Sequence, residues 1–281
     1  MRRASFVGLI LAAVGIGGCG SYEVPLTTVA TGSDLPPGSN ITATTSTTTS
    51  PSTTSSTQAR PQSAHPALRV ATTEHPLHVW IIGDSFIELF GPSLVSRCAD
   101  TGVIEAVADF RYISGLTRPD FFDWPAYIEE ELPEMNPDVA VVMFGGNDSQ
   151  PVVIDGERFE VGTEGWVDLY ARRVAEAMDV LLRGVDRVYW IGLPIMKSGG
   201  FTANARMMNA VYETEAAERP RMTYISSFEL FQDENGEYSA YLDGKQVRFN
   251  DGAHFVWNGA YRLADAVLPV IATDWGIDLG Q

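Results

Sequence analysis

Ser85, Asp251 and His254 are the residue types that a hydroxyl-based acyl-transfer site needs, and each stands in a short turn-rich stretch beside an apolar run. In "HVWIIGDSFIELF", His78 to Phe90, the apolar run breaks at Gly83-Asp84-Ser85 and resumes at helical spacing, which puts Ser85 at a strand-to-helix junction. A helix beginning there offers free N–H groups and the positive end of its dipole to a developing oxyanion. Taken alone, Gly-Asp-Ser is also a common turn, and serine is an ordinary helix cap.

A serine nucleophile needs a base, and the chain has four histidines. His65 and His75 lie in or beside a Thr/Ser/Pro-rich stretch. His78 opens the strand that ends before Ser85, roughly 15–20 Å from the hydroxyl at about 3.3 Å per residue. His254 remains. In "NDGAHFVWNGAYRLADAVLPVI" it follows Asp251 on the same loop and precedes a helix expected from about Asn258. A carboxylate so placed can accept from imidazole Nδ1 and leave Nε2 free to take the serine proton. An Asp-Gly turn beside a surface histidine is the other reading of that stretch.

Two further loops follow apolar runs. "VVMFGGNDSQ" ends in Gly145, Gly146, Asn147 and Asp148, where the glycines let backbone approach a substrate and the Asn147 amide is a neutral donor for an oxyanion. "YISGLTRPDFFDWP" supplies Gly115, whose N–H is a further candidate donor, and Arg118 and Trp124 as candidate sugar contacts. A plain turn and core packing are the respective alternatives. No Gly-Lys-Ser/Thr follows either loop and the dinucleotide glycine spacing is absent, which argues against a phosphate cradle.

The elements that must hold these loops follow from periodicity. Strands are expected at His78–Ile82, Ile104–Ala108, Asp138–Met143, Arg187–Ile191 and Met222–Ile225, and helices at Ile87–Ala99, Phe122–Glu134, Gly165–Leu182 and Asn204–Glu218. Such alternation favours a parallel sheet with helices on both faces, whose sites form beyond the carboxyl ends of the strands. Asn-Gly and Asp-Gly in "DENGEY" and "YLDGKQVRF" predict a small hairpin excursion before the last helix.

Taken in order, Gly83-Asp84-Ser85, Gly115, Gly145 to Asp148 and Asp251 to His254 resemble the four sequence blocks of the SGNH, or GDSL, hydrolases. The resemblance covers nearly the whole segment from His75 to Gln281. It implies a three-layer α/β/α, flavodoxin-like fold. It also implies a nucleophile Ser85, a base His254, an orienting Asp251, and oxyanion donors from Ser85 N–H, Gly115 N–H and the Asn147 side chain. Phe86 departs from the leucine usual in the first block, a packing change outside the chemistry. The strings "SGLTRPDFFDWP", "VVMFGGNDSQ" and "YWIGLPIM" further resemble an exported bacterial subfamily of unknown function.

The rest of the chain bears on location. Arg2 and Arg3, an apolar run from Phe6 to Ile16, then "GGC" ending at Cys19 have the order of a lipoprotein signal, so residues 1–19 are read as a signal whose Cys19 is lipidated. Residues 20–74 carry too little apolar surface to fold and are read as a tether with a typical reach of roughly 40 Å. An exported, membrane-anchored protein of the cell envelope is therefore expected. A net charge of -17 argues against a nucleic-acid partner. No cofactor is expected, and no metal, since Cys98 and the histidines have no metal-ligand spacing. The expected function is a serine esterase acting on a short acyl group, such as acetyl, of an envelope carbohydrate. O-acyl transfer to envelope glycans is the alternative enzyme, and a non-catalytic glycan-binding lipoprotein the non-enzymatic one.

Overall fold

The computed structural model describes residues 68–280. Cys19 and the tether up to residue 67 lie outside them. The order is β1 (Leu77–Gly83), α1 (Ile87–Asp100), β2 (Ile104–Phe110), α2 (Trp124–Met135), β3 (Val139–Met143), β4 (Val152–Ile154), β5 (Glu157–Phe159), α3 (Glu164–Gly184), β6 (Arg187–Ile191), α4 (Gly199–Ala217), β7 (Met222–Ile225), β8 (Tyr241–Leu242), β9 (Lys245–Gln246) and α5 (Trp257–Asp274).

Five parallel strands form one sheet in the order β2-β1-β3-β6-β7. All five residues of β3 are buried, as a central strand covered on both faces requires. Right-handed crossovers then dictate the layers. The chain moves one way from β1 to β2 and the other way from β2 to β3, so α1 covers one face and α2, α3 and α4 cover the other. After β7, α5 returns to pack against α1. The result is the three-layer α/β/α sandwich expected from the sequence. Its topological switch lies between β1 and β3, where a crevice opens beyond the strand ends. Gly83 is needed there because a Cβ would come within 1.9 Å of the Met143 carbonyl oxygen, too close for these two strand ends to stay paired.

Most expected elements are present within a residue or two. Helix α4 begins at Gly199, a turn before the expected Asn204, because Ser198 caps Phe201 N–H and Gly199 and Gly200 are carried into the first turn. The β8–β9 hairpin turns on Asp243 and Gly244, both with positive φ. The β4–β5 hairpin has the same signal in Asp155-Gly156 but was not expected. The tether boundary at residue 74 needs correction. Ala71 is already buried, and the Arg69 guanidinium donates to the His75 and Pro76 carbonyls and pairs with Asp138, so the folded domain begins by Leu68. Cys98 is fully buried, and burial pushes its thiol up to about 12. No helix among the described residues is long and apolar enough to cross a membrane.

Candidate active site

Ser85 sits between the end of β1 and the start of α1, with Oγ 2.8 Å from His254 Nε2. His254 Nδ1 lies 2.7 Å from Asp251 Oδ2. Asp251 Oδ1 accepts from the N–H groups of Ala253 (2.9 Å) and His254 (3.1 Å). Burial pushes the Asp251 carboxyl up, but these donors and the imidazole outweigh it and hold it below its ordinary value. As an ionised acceptor it assigns the Nδ1–H tautomer, leaving the Nε2 lone pair toward the serine hydroxyl. The Phe86 ring packs 5.4 Å from the His254 ring, so the residue that departs from the usual leucine walls the base.

Behind this loop lies Arg248, fully buried. Its guanidinium donates to the Ala253 carbonyl and, at 3.0 Å, to the Ile195 carbonyl, tying the histidine loop to the loop after β6. The rings of Phe231 and Phe255 lie 4.4 and 4.6 Å from it. Burial pushes its pKa down to about 9.

The other wall is built on two buried carboxylates. Asp84 accepts from Phe86 N–H (2.9 Å), Gly145 N–H (2.9 Å) and Gly146 N–H (2.7 Å), which joins the β1 and β3 loops. Burial, with Asp148 nearby, raises its pKa to about 7 despite those donors. Asp148 accepts from Thr117 N–H (2.8 Å) and Thr117 Oγ1 (3.1 Å) with one oxygen, and from Tyr170 OH (3.0 Å) with the other. Asn147, between these anchors, donates from Nδ2 to the Ser114 carbonyl at 3.0 Å and keeps a second amide hydrogen. The N–H groups of Asp84, Phe86, Ile87 and Glu88 all have protein acceptors, whereas Ser85 N–H has none among the described residues. A serine hydroxyl, an oriented imidazole and spare donors are thus assembled at the switch point. Such an arrangement can run acyl transfer through a covalent intermediate. Among the described residues no group of three or more His, Cys, Asp or Glu side chains is placed to hold a metal ion.

Residues 78–270 match the family described as "Protein of unknown function (DUF459)". The chain belongs to this family. No curated protein matches the DUF459 chain. Its fold is that of the SGNH hydrolases. A protein from Slackia heliotrinireducens designated an SGNH hydrolase shares it at a TM-score of 0.51 and 15% identity, over 70% of this chain and 99% of that one. So does a catalytic mutant of Axe2, an acetylxylan esterase from Geobacillus stearothermophilus, at a TM-score of 0.52 and 16% identity, over 73% of this chain and 96% of that one. A Bacteroides fragilis protein designated an acylhydrolase gives a TM-score of 0.52 at 12% identity, over 76% and 93%.

In the DUF459 domain, Ser85, Asn147, Asp251 and His254 line one pocket of about 290 Å³. Gly115 does not line it but borders a neighbouring cavity of about 400 Å³. Its N–H has no protein acceptor among the described residues. Every peptide among the described residues is trans, so this N–H points away from the Ser114 carbonyl that Asn147 holds. The two candidate sugar contacts, Arg118 and Trp124, do not line the Ser85 pocket. Trp124 is 1% exposed, with Nε1 donating to Ser114 Oγ at 3.0 Å, so it braces the loop from within. Arg118 pairs with Asp120 at 2.8 Å and does not line that pocket. The rim is instead Glu88, Tyr112, Ile113 and Phe249, none of them singled out by sequence reasoning. One signal was available for Glu88, which falls three residues after Ser85 and so in the first turn of α1. Ile113 has φ +63, a conformation β-branched residues avoid, which aims an apolar side chain out at the rim.

Proposed function

We propose that the protein is a serine ester hydrolase that removes a short acyl group, such as acetyl, from a carbohydrate ester. The observation that carries this is the unbroken run from Ser85 Oγ through His254 to Asp251, at 2.8 and 2.7 Å. Ser85 Oγ attacks the ester carbonyl as its proton passes to His254 Nε2. The tetrahedral oxyanion is met by Ser85 N–H and the free Asn147 amide hydrogen. The imidazolium then protonates the departing alcohol, leaving an acyl-serine. Water, losing a proton to His254, attacks this ester, and collapse returns the free serine and a carboxylic acid.

Acetylxylan esterases and acylhydrolases among the proteins of like fold support an ester of a sugar as substrate. Transfer to a sugar hydroxyl would require a site that keeps water out. The exposure of Tyr112 (52%), Ile113 (70%) and Phe249 (44%) at the rim favours water as the acceptor. The charged, apolar and small-residue order ending at Cys19 supports a lipid anchor, and hence an envelope glycan as substrate.

The test is hydrolysis of 4-nitrophenyl acetate by the wild type and by Ser85→Ala, with mass spectrometry of Ser85 after a serine-reactive phosphonate. Turnover that vanishes in the variant, with the adduct on Ser85, is expected. Equal turnover by the two proteins removes Ser85 from the mechanism.

A further inference from the structure

The catalytic pocket carries an acidic group that the triad does not use. Glu88, half-buried in the first turn of α1, lines the pocket beside Ser85. Its Oε1 accepts from Tyr112 OH at 2.6 Å. Its Oε2 has no protein donor among the described residues, and Glu88 pairs there with no cation. The hydrogen bond to this carboxylate pushes the Tyr112 phenol up to about 12, so the hydroxyl stays protonated as the donor to Glu88.

Among the described residues no lysine or arginine lines the pocket. The cations of the adjoining loops are occupied or outside it. Arg111 pairs with Asp109, Arg118 pairs with Asp120, Arg248 is spent on the Ala253 and Ile195 carbonyls behind the histidine loop, and the Lys197 stem lies against Gly252 without reaching the lining. The one cation that forms in the pocket, the His254 imidazolium, is answered by Asp251. An anionic substrate would therefore meet an uncompensated carboxylate. A neutral sugar would meet an acceptor for its hydroxyls in the free Glu88 oxygen and an apolar ring face in Tyr112.

We propose that Glu88, held by Tyr112, makes this site selective for acyl esters of neutral, hydroxyl-rich sugars and turns away esters of acidic sugars. The inference rests on the esterase reading and names the substrate class of the same site. For two carboxylates roughly 7 Å apart in a half-solvated pocket, the discrimination is about fivefold to tenfold, and it shrinks as salt rises.

The experiment compares kcat/KM for acetate release from two substrates differing only in charge, an O-acetylated glucuronate and the same compound as its methyl ester. The wild type is expected to favour the neutral methyl ester by about fivefold to tenfold at low ionic strength. Glu88→Gln should bring the ratio to within about twofold, whereas Glu88→Asp, which keeps the charge, should keep most of the preference. A wild-type ratio near one, or a ratio that Glu88→Gln leaves unchanged, overturns the role of Glu88. 4-Nitrophenyl acetate separates the two failures. If it is cleaved while the ratio stays flat, only the selectivity falls, and if no acetate is released from any substrate, the esterase reading falls with it.

Discussion

Replacing Asp251 by Asn keeps the size and shape of the side chain and removes its charge, and the two oxygens then decide the outcome. Oδ1 accepts from Ala253 N–H and His254 N–H at 2.9 and 3.1 Å, while Oδ2 faces His254 Nδ1 at 2.7 Å. An amide NH₂ in place of Oδ1 would face two donors and forfeit both bonds, at about 1–3 kcal/mol each. In place of Oδ2 it keeps both bonds and donates to Nδ1, provided the ring moves its proton to Nε2. The second arrangement wins, and it points an N–H at Ser85 Oγ where a lone pair is needed. Turnover of 4-nitrophenyl acetate by Asp251→Asn should then fall by about 10³–10⁴-fold, or ~4–5.5 kcal/mol in the barrier. KM and the melting temperature should change little, because the loop keeps its backbone bonds. Asp251→Ala removes more atoms but leaves the ring free to choose its tautomer, so it should be no worse than Asp251→Asn. Retention of more than about a tenth of wild-type turnover by Asp251→Asn, or a folded Asp251→Ala far below it, would refute this role for the carboxylate.

Three other outcomes follow from the supports of the site. Burial raises the Asp84 pKa to about 7, above the ordinary carboxylate value, so folding binds a proton and this contribution to stability is lost as pH rises from about 4 through 7. Urea unfolding at pH 5 and pH 8 should show the fall in the wild type and a flatter profile in Asp84→Asn, and a pH-independent wild type would contradict it. Arg248→Met removes a costly buried charge but strips the Ala253 and Ile195 carbonyls of their donor, two opposed effects that leave the melting temperature within a few degrees. The loosened histidine loop should still lower kcat by roughly tenfold at unchanged KM, and activity lost only in step with melting would count against it. Gly115→Ala places a methyl 2.4 Å from Asp148 Oδ1, which Thr117 and Tyr170 hold in place. Such overpacking costs about 1–3 kcal/mol, a drop of roughly 2–12 °C by thermal melting, and a melting temperature equal to wild type would show that the loop can shift.

How much of this was legible before folding depended on whether a residue's role leaves a local trace. Strands such as β3, buried on both faces, leave an unbroken apolar run, and helices such as α3 leave a stripe, so the layers could be read directly. The likeness of their motifs to SGNH blocks brings the Ser85 and Asn147 loops together in the sequence reading, and the structure seats them on β1 and β3, neighbours at the switch point. Asp251 and His254 are close in sequence, and their pairing needs only one loop.

Roles that arise from tertiary packing leave no such trace. The pocket rim takes Glu88 from a helix, Tyr112 and Ile113 from one loop and Phe249 from another, and no spacing connects them. Trp124 reads by type as core before platform, and its burial against Phe144 and Ser114 places it in the core. Arg248 is the sharpest case. Arginine in "KQVRFND" reads as a solvated residue because burying a cation is costly, yet here two carbonyls and two phenyl faces receive it beside His254. The same cost makes a fully buried arginine without a carboxylate partner unusual. Its retention is accounted for by the loop it holds, since an apolar side chain of similar volume could fill the space but could not donate to the Ala253 carbonyl next to His254.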